Sequence, residues 1–185
     1  MKFESVVSYR AGIYLDPYIS FSASSQLTRS YSYSDETKQP ISDLLDPLYL
    51  TEAFGLGYST GKIFKTRLGL SLKQTFTDDF PQPFSDDPET PEVEKRKSEI
   101  GMESVSQFEF DLSENLRLSS ELELFSNMKS ISEVDVKWTN LLSARVAKYV
   151  DVTLSVDVLY DKDISVKRQI RQSLAIGLTY SAGDD

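Results

Sequence analysis

The chain has 185 residues, 29 acids against 20 bases, a formal net charge of -9, and neither His nor Cys. That composition excludes imidazole general bases, the Ser–His–Asp triad, thiol nucleophiles, disulfides, and His or thiolate metal sites. The acid excess opposes binding to polyanions, so no nucleic-acid partner is expected, and the length suits a single domain over 1–185.

Taken in chain order, the dominant period is two residues, which reads as β-strand. Phe3, Val7, Tyr9 and Ala11 begin it. Ile19, Phe21 and Ala23 follow within 18–29. Phe54, Leu56 and Tyr58 then alternate with Ala53, Gly55, Gly57 and Ser59. Phe64, Leu68, Leu70, Leu72 and Phe76 oppose Lys65, Arg67, Ser71 and Lys73. Ile100, Met102, Phe108 and Phe110 oppose Glu99, Glu103, Gln107 and Glu109. Leu116, Leu118, Leu122 and Leu124 oppose Arg117, Ser119, Glu121 and Glu123. Val134, Val136, Trp138, Leu142, Ala144 and Val146 oppose Asp135, Lys137, Thr139, Ser143 and Arg145. Over 150–160 the alternation is cleanest, with Val150, Val152, Leu154, Val156, Val158 and Tyr160 against Asp151, Thr153, Ser155 and Asp157. Ile170, Leu174, Ile176, Leu178 and Tyr180 close the series. This pattern predicts about nine strands, most of them longer than the usual five or six residues, and no helix.

The connections alternate in length. Asp16-Pro17, 59–62, 113–115 and 148–149 read as tight turns. The stretches 30–48, 77–97, 129–133 and 161–165 read as longer loops. All seven prolines are expected in connections, because a strand interior must donate to its ladder. An up-and-down meander with one tight rim and one loop-bearing rim follows. Tyr14, Tyr58, Phe64, Phe108, Phe110 and Tyr180 fall near the tight rim. Tyr31, Tyr33, Tyr49, Phe76, Trp138 and Tyr160 fall near the loops, so the aromatics form two girdles around an apolar band.

Alternation does not say which face points inward. A lipocalin-like soluble barrel buries the apolar face around a small apolar ligand; an outer-membrane barrel turns it to lipid. Strands of about 11–16 residues are long enough to cross a bilayer at a tilt. Small residues and charges of both signs on the polar face suit a lumen held by ion pairs. The fold expected is therefore all-β, an antiparallel up-and-down meander or β-barrel of outer-membrane type. The last strand ends on the tight rim. With an even strand number, that predicts at least one further strand upstream and makes the chain the C-terminal portion of a longer barrel.

The candidate binding residues are the charges expected to face the lumen: Arg67, Lys73, Glu99, Glu103, Glu121, Glu123, Arg145, Asp157 and Arg171. Glu99, Glu103, Glu121 and Glu123 on neighbouring strands have the makings of an acid–base pair. An ion-pair network with Arg67, Lys73, Arg117, Arg145 and Arg171 is the ordinary alternative and the one expected. Asp78, Asp79, Asp86, Asp87 and Glu89 flank a proline-rich loop. Calcium would need more regular spacing, so a solvated acidic loop is expected there, and a polar hairpin at Asp161-Lys162-Asp163. Glu114-Asn115 reads as turn chemistry. No catalytic residue, metal or cofactor is expected, and the chain is read as a non-enzyme.

Two stretches carry a resemblance. One is Ile41-Ser42-Asp43-Leu44-Leu45-Asp46-Pro47-Leu48-Tyr49-Leu50-Thr51-Glu52 with Leu56-Gly57-Tyr58, Leu68-Gly69-Leu70 and Lys73-Gln74-Thr75-Phe76. The other is 122–127, Val134-Asp135-Val136-Lys137-Trp138-Thr139-Asn140-Leu141-Leu142, Tyr160-Asp161 and 174–180. Together they resemble a domain-of-unknown-function family of predicted Gram-negative outer-membrane β-barrels. The resemblance implies a location in the cell outer membrane, the lipid bilayer and the barrel-insertion machinery as partners, and a porin-like or structural role. It implies no site residues. Gly177 and Tyr180 also resemble the general insertion signal of such barrels, from which the tail Ala182-Gly183-Asp184-Asp185 departs.

Overall fold

A computed structural model describes residues 1–10, 14–34, 37–82, 84–86, 90–130, 134–161 and 165–178, without the side chains of 32–34, 37 and 165–167. Several expectations lie outside those residues: Ala11, the side chain of Tyr33, Asp87 and Glu89, Lys162-Asp163, and Tyr180 with the tail after it.

The described chain is all-β. Its strands are β1 (Lys2–Ser8), β2 (Asp16–Ser25), β3 (Ser30–Ser34), β4 (Thr37–Ser42), β5 (Leu48–Thr60), β6 (Phe64–Phe76), β7 (Arg96–Ser113), β8 (Leu116–Asn127), β9 (Val134–Ala147), β10 (Val150–Asp161) and β11 (Ser165–Leu178). Nine of them form one sheet in the order β1-β2-β5-β6-β7-β8-β9-β10-β11. It is the expected antiparallel meander, but it is not closed into a barrel: β1 and β11 are its edges.

Three local expectations are corrected. The stretch 30–48 is not a plain loop, because β3 and β4 pair there as a separate two-stranded sheet. Pro17 and Pro40 lie inside strands. Pro17 is the second residue of β2, and Pro40 belongs to a two-stranded ribbon whose strands are both edges; each is a place where a missing N–H is tolerated. Asp16-Pro17 is therefore not the first turn but the start of β2, where the Tyr9 N–H donates to the Pro17 carbonyl at 3.0 Å. The other tight turns form as expected, at Gly61 with φ 60°, at Glu114-Asn115 and at Lys148-Tyr149. Glycine takes that left-handed φ without a Cβ penalty.

The chain packs as two compact units. The first comprises 1–57, 68–103 and 126–133; the second comprises 58–67, 104–125 and 134–185. In the first, burial alternates along the strands. Tyr18, Ser20, Ala53, Ser71, Thr75, Glu99 and Glu103 are buried. Apolar residues on the other face of the same strands are exposed: Ile19 at 69%, Leu68 at 54% and Ile100 at 61%, with Phe21, Phe54, Leu56, Leu70 and Met102. The period of two thus sends polar side chains into the packed face and apolar ones out.

Glycine makes that packing close. Tyr18 pairs with Gly55 in the β2–β5 ladder. A Cβ on Gly69 would lie 2.6 Å from the Tyr18 hydroxyl and would also strike the Phe54 carbonyl oxygen. A Cβ on Gly55 would strike the Leu68 carbonyl oxygen and the Gly69 Cα. The missing side chain of Gly69 therefore leaves room for the Tyr18 phenol, and that of Gly55 for the close approach of the β6 backbone.

A hydrogen-bonded loop cluster adjoins these strands in the first unit. The buried Asp46 carboxylate accepts backbone N–H groups of Asp78, Asp79 and Phe80 at 3.1, 2.7 and 3.3 Å. Its own backbone exchanges two hydrogen bonds with Asp43, at 2.8 and 3.1 Å, across a turn in which Leu45 has φ 59°. Ser85 is fully buried, bonded to Thr77 at 2.5 Å and to the Glu94 carbonyl at 2.7 Å. Arg29 clamps Asp43 through Nε at 2.8 Å and through Nη2.

Three outcomes follow for the first unit, with Gly177 of the second unit as the control for the glycine change. Gly69→Ala is expected to lower stability by about 1–3 kcal/mol through overpacking in denaturant titration. Gly177→Ala, where the added Cβ meets nothing nearer than 3.9 Å, is expected to change it little. Asp46→Ala strands three N–H groups and is expected to make residues 77–80 the first site of limited proteolysis. The Arg29 guanidinium, with the Leu44 N–H, holds the Asp43 carboxyl below the ordinary aspartate range. The folded state therefore favours the carboxylate. Its contribution is present above the ordinary aspartate pKa of about 3.9 and lost as pH falls through the lowered native value. Exchange of the Leu44 amide is expected to accelerate across that window, and Arg29→Ala to move the window up.

Candidate functional site

The polar face holds the charges singled out in the sequence, and each unit has its own set. In the first unit these are Lys73, Glu99 and Glu103. Thr77 N–H donates to the Lys95 carbonyl at 2.9 Å, which sets β6 against β7 so that Ser71 faces Gly101, with Glu99 and Glu103 on either side. The Tyr18 hydroxyl donates to Glu103 at 3.2 Å. Asn127 Nδ2 donates to Glu99 at 2.9 Å, and Lys97 Nζ lies 3.4 Å from the same carboxylate. Both glutamates are about nine-tenths buried, at 8% exposure. Buried polar groups need such partners, because an unanswered one is costly. Lys73 is half-buried among them. Ser71 Oγ is buried with no hydrogen-bond partner.

In the second unit the face carries Arg67, Glu121, Glu123, Arg145, Asp157 and Arg171. Gln107 Nε2 donates to Glu121 at 2.6 Å. Lys137 pairs with Glu123 at 2.5 Å. Arg171 grips Asp157 with Nε at 3.1 Å and Nη2 at 2.9 Å, across the β10–β11 ladder. Arg145 lies 3.5 Å from Asp151. Arg67 is half-buried and its Nε finds no partner, although the residue makes other contacts.

Several partners of these charges stand out. The four glutamates are met by Tyr18, Asn127, Lys97, Gln107 and Lys137, and Arg117, Arg145 and Arg171 by aspartates on adjacent strands. Arg117 reaches Asp111 at 2.7 Å and Glu109 at 3.1 Å. The five glutamate partners were missed as site residues. Their signal was parity: Lys97, Gln107, Asn127 and Lys137 share the odd register of the polar face on β7, β8 and β9.

The arrangement carries little chemistry beyond charge pairing. Among the described residues no group of three His, Cys, Asp or Glu side chains is placed to hold a metal ion. In the acidic loop Asp78 pairs with Lys95 at 2.5 Å. Asp86 accepts from Gln82 at 2.7 Å and from the Glu94 N–H at 3.0 Å, which hold its carboxyl below the ordinary range. Two open hollows of about 440 and 530 Å³ lie in the second unit beside the tight turns. Ile63 and Phe110 line the first; Asn115, Ser143 and Arg145 line the second, and Arg117 and Asp111 border both.

No family model, curated protein or solved structure matches the chain. Among the described residues no helix is long and apolar enough to cross a membrane, which leaves spanning by strands open.

One outcome tests the polar face. Tyr18→Phe removes the phenolic donor to buried Glu103 without removing the ring. It is expected to cost roughly 1–3 kcal/mol, read as a lower denaturant midpoint with an unchanged slope.

Proposed function

We propose that the chain forms barrel wall in an outer membrane, with its apolar face against lipid and its charged face inward. Its role is structural, or passage or binding of a small polar solute, rather than catalysis. One observation carries this reading: on the strands of the first unit Ser20, Ser71, Thr75, Glu99 and Glu103 are buried while Ile19, Phe21, Phe54, Leu68, Leu70, Ile100 and Met102 are exposed. Water would penalise that arrangement; hydrocarbon rewards it. Burying one Leu, Ile or Phe side chain is worth about 1.5–3 kcal/mol, so several together stabilise a lipid-embedded state by an amount on the order of 10 kcal/mol.

The second unit exposes large apolar residues as well, beside exposed polar ones. Phe108, Phe110, Trp138, Val146, Leu154, Ile170, Leu174, Ile176 and Leu178 are exposed. On β10 the burial is nearly uniform, and Leu154 is its one exposed residue. A soluble barrel binding an apolar ligand needs Leu154, Val156 and Ile176 to line a cavity. Exposure of Leu154 and Ile176, at 41% and 73%, weighs against it. In lipid the edge groups of β1 and β11 would also have to be hydrogen-bonded, because hydrocarbon offers no partner. The paired charges on the polar face suit a narrow or plugged interior.

Refolding with phosphatidylcholine vesicles followed by flotation tests the reading. The chain is expected to float and to resist extraction by carbonate. Leu68→Arg puts a charge on the apolar face and is expected to weaken insertion by roughly 2–4 kcal/mol. Thr139→Lys puts one on the polar face opposite Asp157 and is expected to be tolerated. A chain that stays in the aqueous fraction as a soluble monomer overturns the proposal.

A further inference from the structure

A polar row crosses the apolar face of the second unit on β8 to β11. Arg145 N–H donates to the Asn115 carbonyl at 2.8 Å, and Lys137 pairs with Glu123. Both contacts set β8 against β9 so that Leu118 faces Leu142, Ser120 faces Asn140 and Leu122 faces Trp138. The ladders to β10 and β11 extend these rows. One reads Leu118–Leu142–Leu154–Leu174, and another reads Leu122–Trp138–Val158–Ile170. Between them runs Ser120–Asn140–Val156–Gln172.

Hydrogen bonding in that row leaves two donors over. An indole N–H can only donate. Trp138 Nε1 donates to Ser120 Oγ at 2.9 Å. The serine hydroxyl then gives its own hydrogen to Asn140 Oδ1, at 2.9 Å. This relay orients the Asn140 amide, with oxygen toward Ser120 and both Nδ2 hydrogens away from it. Among the described residues nothing accepts them. Water would solvate these hydrogens; lipid cannot.

We propose that this row is a contact between two copies of the chain, closed by a reciprocal hydrogen-bonded pair of Asn140 amides. The inference rests on the lipid-facing reading. The occupant is a second copy because a primary amide complements itself. Each Nδ2 donates to the other copy's Oδ1, which has a second lone pair beyond the one Ser120 uses. A two-fold axis along the membrane normal brings the same patch of both copies together and inserts both in the same sense. Polar side chains on lipid-facing surfaces act as such contacts between membrane segments. Gln172, two strands along the same row and exposed, adds a second amide to the patch. The leucine row and the Trp138 row flank it with apolar surface.

The chain contains no cysteine, so one introduced thiol reports alone. Asn140→Cys in phosphatidylcholine vesicles under mild oxidation is expected to give a disulfide-linked dimer. Its yield should exceed by about tenfold that of Leu68→Cys, which puts the thiol on the apolar face of the first unit. Asn140→Leu, a change lipid tolerates, is expected to weaken self-association about tenfold by energy transfer between labelled copies. Equal cross-linking of the two cysteine variants, or an unchanged association constant for Asn140→Leu, overturns the dimer. A chain that floats with vesicles but stays monomeric overturns the dimer alone. A chain that does not float overturns the lipid reading and the dimer with it.

Discussion

Glu103 is a carboxyl group at 8% exposure, and a polar group so far from water has to be answered on the spot. The answer comes in part from β2, across two intervening strands. The Tyr18 phenol, paired with Gly55 in the ladder, passes Gly69 and delivers its hydroxyl to Glu103. A Cβ on Gly69 would lie 2.6 Å from that hydroxyl. One contact therefore ties residue choices on β2, β6 and β7. It also explains why small residues (Ser20, Ala53 and Ser71) are buried beside it: long side chains close over short ones.

The loops of the first unit obey the same constraint. The Asp46 carboxyl is buried and accepts three backbone N–H groups. Such an arrangement ties one connection to another through main chain, so its specificity lies in backbone conformation more than in side-chain identity. The Leu45 turn, held in a left-handed conformation, is part of what places that carboxylate. The proline-rich segment after β6 is ordered by Asp46, Ser85 and Asp86.

Charge pairing differs between the two units. In the second, pairs such as Asp157–Arg171 and Arg145–Asp151 span adjacent strands and remain partly exposed. Exposed pairs of this kind contribute little to stability, commonly under about 1 kcal/mol each. They keep one face polar without anchoring it. In the first unit the buried glutamates make the polar face a packed interior.

Strand existence, strand type and the segregation of polar from apolar residues were legible in the residues alone, because a two-residue period maps directly onto the two faces of a sheet. The β3–β4 ribbon was not legible. Its short serine- and tyrosine-rich strands carry no apolar alternation, and Pro40 reads as a breaker. Nor were the partners of Glu99, Glu103, Glu121 and Glu123, since pairing depends on register between strands distant in sequence. The sequence by itself determined that this protein is a meander with one charged and one apolar face. Only the tertiary structure decided that the charged face of the first unit is the packed one, and left β1 and β11 as edges. The physical reason is that local alternation fixes which residues share a face but not which way the sheet turns. That direction is set by non-local packing, here by Gly69, which leaves room for Tyr18 to cross two strands to the buried Glu103 carboxyl.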